Sequence, residues 1–226
     1  GRPAVAEDMA VARDLLLAEM TGGHIHIAHV SSKDTVDQIR RAKAKGIKVT
    51  CEVTAQHLAF TDEYLREYNP AFKMAPPIRS EEHRQALLTG VKDGTIDAII
   101  TDHAPHAEEE KDQEFCCAPN GFSGLETSLA AVLTHTYKTG ILTLDEIVSL
   151  MSTRPAQMLG VEGGVLEVGK AADITVFSTD EAWTVDRNRF YTKGKTSPFD
   201  GMTLTGRAKL TVVDGDVVMK EGVVTR

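Results

Sequence analysis

The chain has 226 residues, 42% of them hydrophobic and 26% charged, which is the make-up of an ordinary globular protein with room for one large domain or a domain plus a small appendage. A formal net charge of -8 without Lys/Arg blocks argues against nucleic acid or an anionic membrane as partner, and no apolar run reaches the roughly 18 residues of a membrane span. Three cysteines, two of them adjacent at Cys116 and Cys117, make no disulfide framework, so a reduced, cytoplasmic setting is expected.

The opening Gly1-Arg2-Pro3 shows neither an initiator Met nor a signal-peptide pattern, and the chain reads as a piece of a longer protein. Residues 3–20 place Val5, Met9, Ala12, Leu16 and Met20 at near-helical spacing, an amphipathic helix closed by Gly22-Gly23. From His24 to Val30 imidazoles alternate with small apolar residues, which is strand periodicity. His24 and His26 share one face and read as core or surface histidines satisfied by backbone. His29 sits at the strand's end, before Ser31-Ser32 and a helix over 33–45 that Gly46 closes. In a strand–loop–helix unit that position lies at the active face.

Residues 47–53 alternate again as a strand, with Thr54–His57 as its loop and Cys51 as a packed small hydrophobe rather than a nucleophile. Glu52 and His57 read equally as polar groups behind a site or as a solvated strand end. Residues 70–79 form a Pro-rich loop, in which Arg79 meets an anionic substrate or, more commonly for such a residue, a surface carboxylate. Ser80 begins a helix that runs to Gly94.

The next stretch, Asp97 to His106, organises the whole reading. Ile96 and Ala98–Ile100 make a short buried-strand run, and the polar groups begin where it stops. Asp102 lies at the carboxyl end, His103 follows, and Pro105 prevents a regular strand or helix from continuing. Asp102, His103 and His106 put metal-ligand types into one loop; a local side-chain to backbone bond from Asp102 is the competing reading. Residues 107–123 form a long loop, functional or mobile by its length. A helix over 124–138 with Leu125, Leu129, Val132 and Leu133 inward follows, then shorter helices over 143–152 and 154–160. From residue 160 glycines punctuate β-branched runs, and Asp214-Gly215 signals a tight hairpin. Residues 1–160 therefore form a partial α/β barrel and residues 161–226 a separate β-rich module.

Five strings, His29-Val30-Ser31-Ser32, Lys73-Met74-Ala75-Pro76-Pro77-Ile78-Arg79, Thr101-Asp102-His103-Ala104-Pro105-His106, Gly124-Leu125-Glu126-Thr127 and Gly169 to Val176, together resemble the dihydroorotases of the amidohydrolase superfamily. The resemblance runs the length of the chain. It implies the C-terminal part of a metal-dependent (β/α)8 barrel, about strands 6–8, followed by a small β-rich module. It also implies a zinc hydrolase, with two Zn2+ per complete site, that interconverts N-carbamoyl-L-aspartate and L-dihydroorotate in de novo pyrimidine synthesis. By the same resemblance His29 is a metal ligand, Asp102 both metal ligand and proton shuttle, and His106, Asn120 and Gly121 contact the substrate.

Two departures accompany it. The family's substrate-binding asparagine is Ala75 here, and most of the family's metal ligands, including the H-x-H pair of the first strand, have no counterpart. An eight-stranded barrel needs about 250 residues, so the chain is expected to be inactive alone and to work as a homodimer or by pairing with a missing N-terminal half. Another cyclic amidase of the allantoinase or dihydropyrimidinase kind, or a non-catalytic homologue serving as a partner subunit, are the alternatives.

Overall fold

The computed structural model describes residues 2–225; Gly1 and Arg226, the outermost residues of the two expected segments, lie outside it. Helix α1 (Ala4–Thr21) starts after Pro3 and stops at Gly22, which takes the left-handed backbone that a helix end favours. Three short strands follow at intervals, β1 (Ile25–Ile27), β2 (Val49–Thr54) and β3 (Ala98–Ile100), paired in parallel in the order β1-β2-β3. Helix α2 (Lys33–Ala44) connects the first pair, and α3 (Ala55–Ala59) with α4 (Glu81–Asp93) the second.

The pleat sorts the side chains of this sheet. Val49, Cys51 and Val53 point to one side and are buried in a single core with Val36, Ile39, Leu87 and Val91 of the crossing helices. Thr50 and Glu52 point to the other side and stay half-buried, beside His24 and His26. Cys51 is fully buried, and burial pushes its thiol up to about 12, so it is a packed apolar residue.

Helix α1 buries a different face from the one its spacing suggested. Val11, Leu15 and Ala18 turn inward with Asp8, while Val5, Met9, Leu16 and Met20 are exposed. Apolar residues occupy both sides of this helix, and the inner side is chosen by packing against α2, where Asp8 accepts from the Thr35 hydroxyl at 2.8 Å. A second correction concerns Thr54–His57, which is not a loop. The Thr54 hydroxyl accepts from the His57 backbone N–H at 3.1 Å and so caps α3 directly at the end of β2.

The stretch 107–123 contains one helical turn, α5 (Glu108–Lys111). Helix α6 (Ser128–Val132) passes into a π-helical turn at Leu133–Tyr137, and α7 (Leu144–Val148) passes through another at Ser149–Thr153 into α8 (Arg154–Leu159). Residues 124–127 form a turn rather than the start of the expected helix, and Leu125 is exposed instead of inward. Four antiparallel strands close the chain, β4 (Ile174–Thr184), β5 (Thr203–Val213), β6 (Asp216–Lys220) and β7 (Val223–Val224), in sequential order. Asp214 and Gly215 join β5 to β6 with φ of 50° and 86°, the paired positive values that a two-residue hairpin turn requires.

This second sheet packs on α6, and Val185, Phe199 and Leu204 enter the same core as the parallel strands. The Phe199 ring lies 4.7 Å from that of Phe60, centre to centre. Within the described residues β1 and β3 each have one unpaired edge. No helix among them is long and apolar enough to cross a membrane.

Candidate active site

His29 and Asp102 each lie two residues beyond the end of a strand, β1 and β3 respectively. Because the strands are parallel and both flank β2, the two residues emerge at the same end of the sheet, with strand axes about 10 Å apart from two inter-strand spacings. Both take left-handed backbone, φ 39° at His29 and 45° at Asp102, a conformation uncommon outside glycine. The chain after His29 is held to the sheet, since Val30 N–H donates to the Glu52 carbonyl at 2.8 Å.

The His29 ring fits a cation. Its Nδ1 is buried without a hydrogen-bond partner, and a polar atom left that way costs about 1–3 kcal/mol. A cation on that nitrogen would remove the cost. The half-buried Asp102 carboxylate has no hydrogen-bond or ion-pair partner among the described residues, so it remains available to a ligand. Among the described residues, the one group of three such side chains within ligand distance of one another includes neither His29 nor Asp102.

Behind His29 stands Glu7 of α1. Its carboxylate accepts from the backbone N–H groups of Ser31 at 2.9 Å and Ser32 at 3.0 Å, and from the Ser31 hydroxyl. Arg79 closes this network from the other side, with Nε on Ser31 Oγ at 3.1 Å and Nη2 3.6 Å from Glu7. Its side chain is 11% exposed, so Arg79 is a half-buried cation engaged by Glu7 and Ser31 rather than a surface ion pair. Glu7 escaped the reading by sequence because its partners lie 24 and 25 residues away and no local pattern marks it.

His57 is buried beneath the rim, not part of a solvated strand end. Nε2–H donates to the Pro76 carbonyl at 3.2 Å, and Nδ1 accepts from the Thr54 hydroxyl at 2.9 Å. Burial pushes this imidazole down to about 4 against the attraction of Glu7, so it stays neutral at ordinary pH. His24 and His26 are satisfied by side chains rather than backbone: both bond the Thr50 hydroxyl, at 3.1 and 2.9 Å, and His26 Nε2 lies 3.2 Å from Glu52.

His103 and His106 part company after Asp102. The N–H groups of Gly124 and Leu125 donate to His103 Nδ1, each at 3.3 Å, so this ring braces the 124–127 turn. His106 Nε2 donates to the Asn120 carbonyl at 2.9 Å, and its Nδ1 faces Glu110 at 3.3 Å. The structure thus brings together three of the residues singled out for substrate, His106, Asn120 and Gly121. Gly121 has φ 110°, and a Cβ there would meet Ala104 Cβ at 2.7 Å, so only glycine lets the loop lie this close to the strand extension.

Two lysines hold that loop. Lys111, 5% exposed, donates to the carbonyls of Pro119 and Gly121, each at 2.9 Å. Burial, with the charge of Lys73 nearby, lowers its ammonium to about 8. Lys73 donates to the carbonyls of Cys116 at 3.1 Å and Ala118 at 2.5 Å. Lys111 was hidden in the sequence because it ends a run of glutamates and reads as part of a solvated face. A groove of about 480 Å3 between α6 and the antiparallel sheet, lined by Leu129, Trp183, Tyr191 and Arg207, is a separate feature that includes neither His29 nor Asp102.

Comparison with known proteins sets this geometry in a family. Residues 3–218 match the profile of the amidohydrolase family. The dihydroorotase of Syntrophus aciditrophicus is 49% identical, with 98% of this chain and 52% of that protein aligned. The dihydroorotase of Acetivibrio thermocellus is 45% identical over 99% of this chain and 52% of its own length. Among solved structures, the L-hydantoinase (dihydropyrimidinase) of Arthrobacter aurescens superposes with a TM-score of 0.95 at 37% identity, covering 100% of this chain and 51% of that one. The chain spans about half the length of the curated relatives it matches. The family match and the superposition show a metal-dependent barrel fold of mixed α and β content. By the extent of its match, this chain belongs to the amidohydrolase family.

Proposed function

We propose that this chain serves a dihydroorotase, which closes N-carbamoyl-L-aspartate to L-dihydroorotate and reopens it in pyrimidine synthesis. The observation that carries the reading is the shared rim: a carboxylate and a buried, unpartnered imidazole nitrogen, after parallel strands two apart, at the end of the sheet where barrel enzymes do chemistry. In this reading β1 and β3 correspond to the sixth and eighth strands of a barrel, residues 1–160 to its last portion and residues 161–226 to the appended module. The unpaired edges of β1 and β3 and the exposed apolar residues of α1 are where the rest of a barrel would pack.

His29 and Asp102 would hold metal, with zinc suited to an imidazole and a carboxylate and the other ligands supplied from outside this chain. Zinc, when bound, acidifies water and polarises a carbonyl. Asp102 takes the proton of the attacking water as the ring C–N bond opens and returns it to the departing nitrogen; the same carboxylate runs the exchange backwards on closure. His106 holds the substrate, with Asn120 and Gly121 lining the same face of the loop. The active unit is then a homodimer or a pairing with the remaining barrel segment, in a cytoplasmic setting.

A hydantoinase or dihydropyrimidinase reading has its own support in the superposition on the L-hydantoinase of Arthrobacter aurescens and in Ala75, where the dihydroorotases carry asparagine. Assaying the full-length protein separately with dihydroorotate, hydantoin and allantoin decides between them. Turnover of dihydroorotate alone supports the first reading, and turnover of hydantoin without dihydroorotate replaces it by the second.

A further inference from the structure

Outside the His29–Asp102 rim, one cluster of side chains among the described residues has the chemistry to hold an ion. Glu114, Cys116 and Cys117 are exposed at the tip of the 107–123 segment, and one ligand atom from each lies within 4.8 Å of the others. The two Sγ atoms are 3.6 Å apart, and Cys116 Sγ is 3.7 Å from the Glu114 carboxylate. Two thiolates bound tetrahedrally at about 2.3 Å from one zinc lie roughly 3.8 Å apart. A disulfide would instead require the sulfurs to close to about 2.05 Å. The observed spacing is that of a thiol–thiol hydrogen bond, and it also matches the separation of two ligands on a shared ion.

The backbone keeps this spacing. Cys117 and Ala118 N–H both donate to the Glu114 backbone carbonyl, at 2.9 and 3.0 Å, closing the backbone turn that carries all three side chains. The Cys116 carbonyl is fixed by Lys73, and the Lys73 ammonium lies 5.5 Å from the centre of the Phe115 ring. The turn is thus anchored before any ion arrives, and because all three ligand residues are exposed an ion can reach it from solvent.

We propose that Glu114, Cys116 and Cys117 form a second cation site, for a soft or borderline divalent ion such as Zn2+ or Cd2+. Two sulfurs and one carboxylate oxygen select against Mg2+ and Ca2+, which take oxygen ligands, and leave a fourth tetrahedral position for water. Binding releases the two thiol protons as the metal–sulfur bonds form, with no change of oxidation state.

The test titrates the reduced full-length protein, its catalytic ions in place, with CdCl2 while following the thiolate-to-cadmium absorption in the ultraviolet and the bound cadmium by elemental analysis. Wild type should bind one more Cd2+ per chain than the Cys116→Ser/Cys117→Ser variant, and the absorption should be missing from that variant. Glu114→Gln should keep the absorption and bind more weakly. Equal cadmium uptake by wild type and the double variant overturns the proposal, as does loss of both free thiols to a disulfide in place of metal uptake. These residues are exposed, so the variants fold as the wild type does.

Discussion

His29 and Asp102 occupy equivalent places in the parallel sheet: each is the second residue after its strand, and each bends the chain into left-handed backbone, with φ of 39° and 45°. Neither is glycine, so each position costs on the order of 1–3 kcal/mol that the surrounding structure must offset. Both bends fall at the same end of one sheet, two strands apart.

That strain predicts an unusual order of variants at position 102. In the full-length protein Asp102→Ala and Asp102→Gly should both lose essentially all turnover, with metal content reduced. Asp102→Gly should nevertheless be the more stable of the two by about 1 kcal/mol, because glycine accepts positive φ without penalty. Urea unfolding measures this, and an alanine variant as stable as the glycine variant removes the strain argument.

His106 joins the loop at the Asn120 carbonyl without touching the His29–Asp102 pair. His106→Ala in the full-length protein should raise KM roughly tenfold or more, as loss of about 1.4 kcal/mol of substrate contact does, and leave bound metal unchanged. Loss of stoichiometric metal would make His106 a ligand instead.

Lys111 is the internal clamp of the segment that presents Asn120 and Gly121. Lys111→Met should leave two carbonyls without their donor, raising KM more than it lowers kcat and speeding amide exchange across residues 117–122. Lys111→Arg should recover part of the effect. Unchanged exchange in the methionine variant contradicts a clamping role.

Glu7 holds the Ser31–Ser32 turn behind His29 through two backbone N–H groups and a hydroxyl. Glu7→Gln keeps the shape but weakens those charge-assisted bonds and leaves Arg79 without its carboxylate, so stability should fall by about 1–3 kcal/mol. Metal affinity at the His29 position should fall with it. Chemical denaturation and metal titration of the full-length variant check the two effects separately.

Neutral His57 makes stability depend on acid. Its folded pKa is about 4, below the ordinary value of 6.5 that applies in the unfolded chain. Between those values the unfolded state binds the extra proton, so the contribution is fully present above pH 6.5 and is lost as pH falls toward 4, by on the order of 3 kcal/mol. His57→Gln should flatten this part of the pH dependence in urea midpoints. A wild-type and variant profile of equal slope between pH 7 and 5 would rule the histidine out as its source.

Much of the architecture was legible residue by residue. Pro3, Gly22, Gly46 and Gly94 marked helix ends; alternation at 47–53 marked β2; Asp214-Gly215 marked its hairpin. Each of these signals is carried by neighbours in sequence. What failed were statements about which way a face turns: Met9 and Leu16 of α1 lie outside, Leu125 lies outside, and Arg79 is half-buried. Such outcomes depend on partners distant in sequence: Thr35 lies 27 residues from Asp8 on the inner side of α1, and Ser31 lies 48 residues from Arg79.

The same division holds for the candidate site. Residue types and strand-end positions marked His29, Asp102 and His106 in the chain itself, because ligating groups placed just after buried apolar runs are a local pattern. Only tertiary structure decided that the His29 ring nitrogen is buried and unpartnered, that His106 meets Asn120, and that Lys111 and Glu7 hold the loops around them. Burial and hydrogen-bond satisfaction are properties of the packed surroundings, and no short window of sequence contains the groups that set them.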